Sequence, residues 1–181
     1  DVDVASIEAE DLPTDLMKRD FTINAVAQSV TGQFYDPSNG LEDIKNKILR
    51  SPRNQRDKRF KEDPVRMIRA ARLVGNYKLK VHPSVIRAIN KNRDLLKDIP
   101  KARVGREVTK IMQVERPQDA MEFMAEHDLL GAIDPAMAKM VGYKQNTPHH
   151  KWDLWKHTMT SLKKAESEDM VLNLAILFHD I

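Results

Sequence analysis

The chain has 181 residues, 41% of them hydrophobic, six Gly and nine Pro, a formal net charge of +3 and no cysteine. A chain of this size buries a real core, and its composition excludes a disordered tail or a fibre. No disulfide can form, no apolar run reaches membrane-spanning length ("VLNLAILF" is short and holds Asn173), and there is no signal-peptide pattern, so the expectation is a cytoplasmic protein without a membrane partner.

In chain order, "DVDVASI" at the start alternates polar and apolar residues like a half-buried strand. "DFTINAVAQSV" (20–30) reads as a helix, "GQFYD" as a short strand and "DPSNG" as a turn. "LEDIKNKILR" closes this α/β portion. The basic link "SPRNQRDKRFK" (51–61) reads as a mobile loop suited to RNA phosphate. Asp63 followed by Pro64 starts a helix, as an N-cap with proline in the first helical position. Pro83 opens the next helix. "ARVGREVTKIMQ", "PQDAMEFMAEHDLL" and "PAMAKMVGY" follow as helices separated by Pro or Gly signals. "KQNTPHHK" reads as a linker before a final helical pair, "WDLWKHTMTSLKKA" and "EDMVLNLAILFHD". The fold class expected is α+β, mostly helical: a small α/β piece feeding a helical body.

Charge is unevenly distributed. Residues 45–110 carry 21 Lys and Arg against 6 Asp and Glu, a local excess of 15 positive charges. Such a block implies a polyanionic partner, nucleic acid being the usual one; the alternative is a solvated helical surface. Only Phe60 and Tyr77 are aromatic in the block, which argues against base stacking as the main binding mode.

Within that block "FKEDPVRMIRAARLVG" (60–75) places Arg66, Arg69 and Arg72 across an arc of roughly 120°, with Asp63 about 60° further round. Met67, Ile68, Ala70, Ala71 and Val74 fill the other side, which can pack. Guanidinium groups clamp phosphate oxygens through paired hydrogen bonds, so the set suits a triphosphate or a nucleic-acid backbone. A carboxylate accepts and a guanidinium donates. An Asp63–Arg66 pair therefore matches the amino group and ring nitrogen of cytosine or adenine, and rejects uracil and guanine. The alternative is that Asp63 only caps its helix while the arginines make surface ion pairs.

Three stretches, "KRDFTINAVA" (18–27), "YDPSNGLEDIKNKILR" (35–50) and "EDPVRMIRAAR" (62–72), resemble consecutive motifs of the class II tRNA nucleotidyltransferases, the bacterial CCA-adding enzymes and their poly(A) polymerase relatives. "RVGREVTKIM" and "AMEFMAEHDLLGAIDP" resemble that family's helical neck and body. The resemblance implies a partial nucleotidyltransferase head at 1–50, a neck with the nucleotide-recognition helix at 51–100 and a helical body at 101–145. It implies addition of C, C and A to the tRNA 3′ end from CTP and ATP with Mg²⁺, or the related poly(A) polymerase activity. Arg19 matches a nucleotide-contacting arginine, Asp63 and Arg66 the base-reading pair, and Arg69 and Arg72 the arginines completing the site. Residues 36–50 match the hinge between head and neck. An alternative for Arg19 and Asp20 is a local structural ion pair.

"HHKWDLWKHTM" and "LFHD" resemble the opening of an HD-type phosphohydrolase domain, at 146–181. On that pattern His157, His179 and Asp180 would ligate a divalent transition metal. The pattern's last aspartate is not among these residues, which puts hydrolase activity in doubt. The family's Gly-rich loop is likewise absent. Asp1 and Asp3 have the Asp-x-Asp spacing of its metal-binding pair, but only a short stretch separates them from Arg19. Either they are that pair, or "VDVASIEAED" is a later strand of the head. On both readings the chain is expected to be part of a longer enzyme, and a nucleotide-binding and tRNA-binding module without catalysis is a further alternative.

Overall fold

A computed structural model describes residues 11–52, 56–144 and 152–180. The expected first strand, Asp1 and Asp3 lie outside the described residues, as does most of the linker 144–151.

The described part is mostly helical with four short strands. Helix α1 (Leu12–Met17) is capped by Asp11, whose Oδ1 accepts from the Thr14 N–H at 2.7 Å. Next comes a 3-10 turn (Thr22–Asn24), then β1 (Ala27–Gln28), which pairs antiparallel with β2 (Phe34–Tyr35). The helix expected over 20–30 does not form. Thr22 N–H donates to Arg50 O at 2.8 Å and Thr22 Oγ1 to the buried Asp43 at 2.7 Å. These long-range bonds, with the β-branched Ile23, Val26 and Val30, outcompete an i to i−4 ladder. The strand and the turn fall where expected: Asp36 holds the turn by accepting from Gly40 and Leu41 N–H at 2.6 and 2.9 Å. Helix α2 (Gly40–Lys45) and β3 (Ile48–Leu49) follow, and Asp43 also accepts from Arg50 Nε at 3.1 Å.

The basic link is the second difference. Arg56–Glu62 forms helix α3, with Phe60 1% exposed and Arg59 8% exposed. Burial of an aromatic on one face fixes a helix where the density of charge suggests a loop. Helix α4 (Arg66–Tyr77) starts later than Pro64 because the first bonds, Arg66 N–H to Asp63 O and Met67 N–H to Pro64 O, are of the tighter i to i−3 kind. Asp63 Oδ1 accepts from the Val65 N–H at 3.3 Å.

Lys78, in the left-handed conformation (φ 53°), ends α4 and leads into β4 (Lys80–Val81), which runs parallel to β3. Pro83 opens α5 (Pro83–Asn92) as expected. A 3-10 stretch (Arg93–Asp98), α6 (Lys101–Ile111), α7 (Pro117–Glu126), a 3-10 turn (Leu130–Ala132) and α8 (Pro135–Met140) complete the body. Helix α4 is its centre, packed on α7 and α6 through Met67, Ile68, Ala70 and Ala71, all 0% exposed. The final pair is α9 (Leu154–Ala165) and α10 (Met170–Phe178). Asn173, the polar interruption of the last apolar run, is fully buried; its Nδ2 donates to Met112 O at 2.8 Å and Ser167 O at 2.7 Å. That joins α10 to the end of α6.

Candidate functional site

Burying one side of α4 forces its charged side outward, and the elements preceding it wall a cleft against that side. Arg19, Arg66, Arg69 and Arg72 line this cleft together with Lys18, Arg59, Asp15, Asp20, Asn24, Leu73 and Tyr77; its volume is about 740 Å³. Six basic side chains face two carboxylates, so the cleft favours an anion.

Each arginine is held differently. Arg19 Nη2 donates to Asp15 Oδ2 at 2.8 Å, an i, i+4 pair, and does not pair with Asp20. Asp20 is 7% exposed; its Oδ1 accepts from Phe21 N–H and Asn24 Nδ2, and its Oδ2 lies 3.2 Å from Arg69 Nε. In place of the local Arg19–Asp20 pair weighed as the alternative, two separate pairs hold Arg19 and Arg69. Arg72 Nε donates to Glu107 Oε2 on α6 at 3.0 Å. Arg66 Nη1 is buried and has no hydrogen-bond partner among the described residues. An unpaired buried guanidinium donor costs free energy that an anionic or acceptor ligand recovers.

Asp63 does not line the cleft; both its carboxylate oxygens lie 3.0 Å from Arg103 Nη2. The structure therefore gathers four of the five expected nucleotide-binding residues and gives the fifth a partner from α6. Lys18, Arg59 and Arg103 were not marked by sequence spacing. For Arg59 the adjacent Phe60 is the signal: a buried aromatic in a basic run marks a packed helix. Glu62, beside it, is partly desolvated, which pushes its carboxyl up, but the Arg59 hydrogen bond and the Arg59, Lys58 and Arg66 charges bring it below the usual carboxylate range. Of the two aromatics, Phe60 is buried and only Tyr77, 54% exposed, is open to a ligand.

A second cluster lies at the final helical pair. One ligand atom each from His157, His179 and Asp180 falls within 4.8 Å of the others. His179 Nδ1 lies 2.7 Å from Ile176 O, and a backbone carbonyl there selects the tautomer with the proton on Nδ1. His179 Nε2 lies 3.1 Å from Asp180 Oδ2. The donor set of two imidazoles and a carboxylate fits a divalent transition metal.

Comparison with known proteins agrees with the geometry. Residues 2–50 match the model of the poly A polymerase head domain, and residues 78–140 the model described as the probable RNA and SrmB-binding site of polymerase A. A multifunctional CCA protein of Tolumonas auensis is 32% identical over 94% of this chain and 42% of its own length. The Bacillus stearothermophilus CCA-adding enzyme, crystallised with CTP, is 33% identical with TM-score 0.68, over 73% of this chain and 34% of that one. A tRNA nucleotidyltransferase complexed with a primer tRNA and an incoming ATP analogue is 26% identical with TM-score 0.72, over 97% of this chain and 52% of that one. The chain spans less than half the length of the curated relatives it matches. With head and RNA-binding segments in order around the arginine helix, the chain belongs to the family of the CCA-adding tRNA nucleotidyltransferases and poly(A) polymerases.

Proposed function

We propose that this chain is the nucleotide-selecting part of a CCA-adding tRNA nucleotidyltransferase, which transfers CMP and AMP from CTP and ATP to the tRNA 3′ end. The observation that carries this reading is the convergence of Arg19, Arg66, Arg69 and Arg72 on one cleft, with Arg66 Nη1 left unpaired. The permanently charged groups take the triphosphate oxygens, and Arg66 donates to the ring nitrogen of cytosine or adenine. Asp63, three residues earlier, accepts from the exocyclic amino group. Uracil and guanine present a carbonyl and an N–H at those edges and leave both groups mismatched. In this proposal side chains stand where a template would, and the basic stretch 45–110 takes the tRNA backbone.

Transfer to the 3′-hydroxyl needs divalent metal, Mg²⁺ in this reading, to activate the attacking oxygen and neutralise the leaving pyrophosphate. Asp1 and Asp3 are its candidate ligands. The test is incorporation of labelled CTP and ATP, separately and together, into a tRNA lacking its CCA end. Addition of CCA is expected. Runs of A without C would instead favour the poly(A) polymerase alternative, and no incorporation with retained CTP and ATP binding would favour a binding module alone.

A second reading rests on the His157, His179 and Asp180 cluster. These residues would hold a divalent transition metal, which when bound supplies a polarised water for phosphoester hydrolysis. Metal content after purification, in the parent and in His179→Ala, tests it.

A further inference from the structure

The proposed base-reading pair is three residues apart, and an Asp and an Arg at that spacing pair readily with each other. In the structure they do not. Asp63 is engaged by Arg103, forty residues away on α6, while Arg66 keeps a buried nitrogen without a partner among the described residues. A single nitrogen, Arg103 Nη2, sits astride both carboxylate oxygens, 3.0 Å from each, and the Val65 N–H takes a further site on Oδ1. Of the roughly four lone-pair sites of a carboxylate, the one left is the outer site of Oδ2.

We infer that Arg103 is a positioning residue that sets base specificity by holding the two readers apart. Its hold on Asp63 keeps that carboxylate from turning onto Arg66, so the Arg66 donors stay available to a ring nitrogen. It also limits Asp63 to one outward acceptor, which fits one exocyclic amino group. The position of Arg103 is itself fixed. One turn further along α6, Glu107 is 9% exposed and accepts from Arg72 of α4 at 3.0 Å and from Lys110 at 3.2 Å. Two ion pairs thus tie α6 to Asp63, just before α4, and to Arg72 on it, and α6 falls inside the segment matching the RNA-binding model.

This inference rests on the base-reading role proposed for Asp63, and the experiment separates the two. Equilibrium binding of CTP, ATP, UTP and GTP to the full chain is measured for the parent, Asp63→Ala, Arg103→Ala, Arg103→Lys and the double variant Asp63→Ala with Arg103→Ala, with a melting temperature for each. Arg103→Ala is expected to lower the preference for CTP and ATP over UTP and GTP about tenfold, with Arg103→Lys recovering part of it. The double variant should match Asp63→Ala alone, since with no carboxylate there is nothing to hold apart. An unchanged preference in Arg103→Ala, with Asp63→Ala still losing it, overturns the role of Arg103 and leaves the base-reading role standing. Tighter CTP binding in Arg103→Ala also overturns it, as does a lowered melting temperature with preference intact. If Asp63→Ala keeps its preference, the base-reading role fails and this inference with it. Should Arg103→Ala not fold, Arg103→Lys and Arg103→Gln carry the same comparison.

Discussion

The arginine side of α4 and the histidine cluster at the final helical pair are built on opposite plans. Around α4, side chains are fixed by partners far away in the sequence: Arg72 by Glu107, Asp63 by Arg103, Arg69 by Asp20. Behind them lies a face that is fully buried. At the second cluster His179 and Asp180 are neighbours in the chain, the orienting bond of His179 is to Ile176, and both residues are exposed. The first arrangement orders charges at the cost of coupling them to the fold. The second can change its chemistry with little effect on stability.

That contrast is open to direct attack. The largest effect is expected from Arg66→Ala, which removes charge-assisted bonds worth about 1.5–3 kcal/mol and should weaken CTP binding roughly tenfold to a hundredfold in a titration. Because Arg66 Nη1 has no partner among the described residues, the melting temperature should hold or rise. A fall in stability without loss of binding would show that Arg66 is structural. Next is Asn173→Ala, which leaves Met112 O and Ser167 O without their donor and should cost about 1–3 kcal/mol in a denaturant melt. A two-step melt would further show that the last helices come away separately.

His157→Ala is smaller in stability, within about 0.5 kcal/mol for a partly exposed position, yet should abolish metal uptake measured by elemental analysis. Equal metal content in parent and variant would end the comparison between the two sites. The smallest effect concerns Glu122, whose carboxyl is pushed above the usual range first by desolvation and then by the charge of Asp119, against Lys163 and Arg116. A raised folded-state carboxyl means stability that is present at low pH and lost as pH rises through the folded value. Glu122→Gln should therefore melt slightly higher than the parent near neutral pH and alike below about pH 4. The side chain is only partly withdrawn from solvent, so the difference is small.

Much of this was legible in the chain itself because local chemistry and fold agree there. Proline and glycine signals place α5, α7 and α8 correctly, and the spacing of Arg66, Arg69 and Arg72 against an apolar side gives the cleft its charged wall. What was hidden depends on partners distant in sequence. The segment 20–30 looks helical until Thr22 is seen to spend its bonds on Asp43 and Arg50. Helix α3 hides in a run of charge because one aromatic, Phe60, decides it. Nothing in the spacing of α6 tells that Arg103 meets Asp63, just before α4, or that Glu107 meets Arg72 on it. Periodicity reports which side of a helix is buried; it cannot say which charge on another helix will meet it.

One missing methyl group has a consequence for how finely the cleft is set. At Gly75 on α4 a side chain would meet the backbone oxygen of Arg116 at 2.8 Å and Ala120 Cβ at 3.0 Å. The helix therefore packs on the start of α7 with no room for a side chain at this point, and nine residues separate the contact from Arg66, about 13 Å along a stiff rod. A rod seated against a hard stop has no slack to take up. Gly75 thus works as a depth gauge: the width of the arginine cleft is calibrated from behind, by a residue that does not line it.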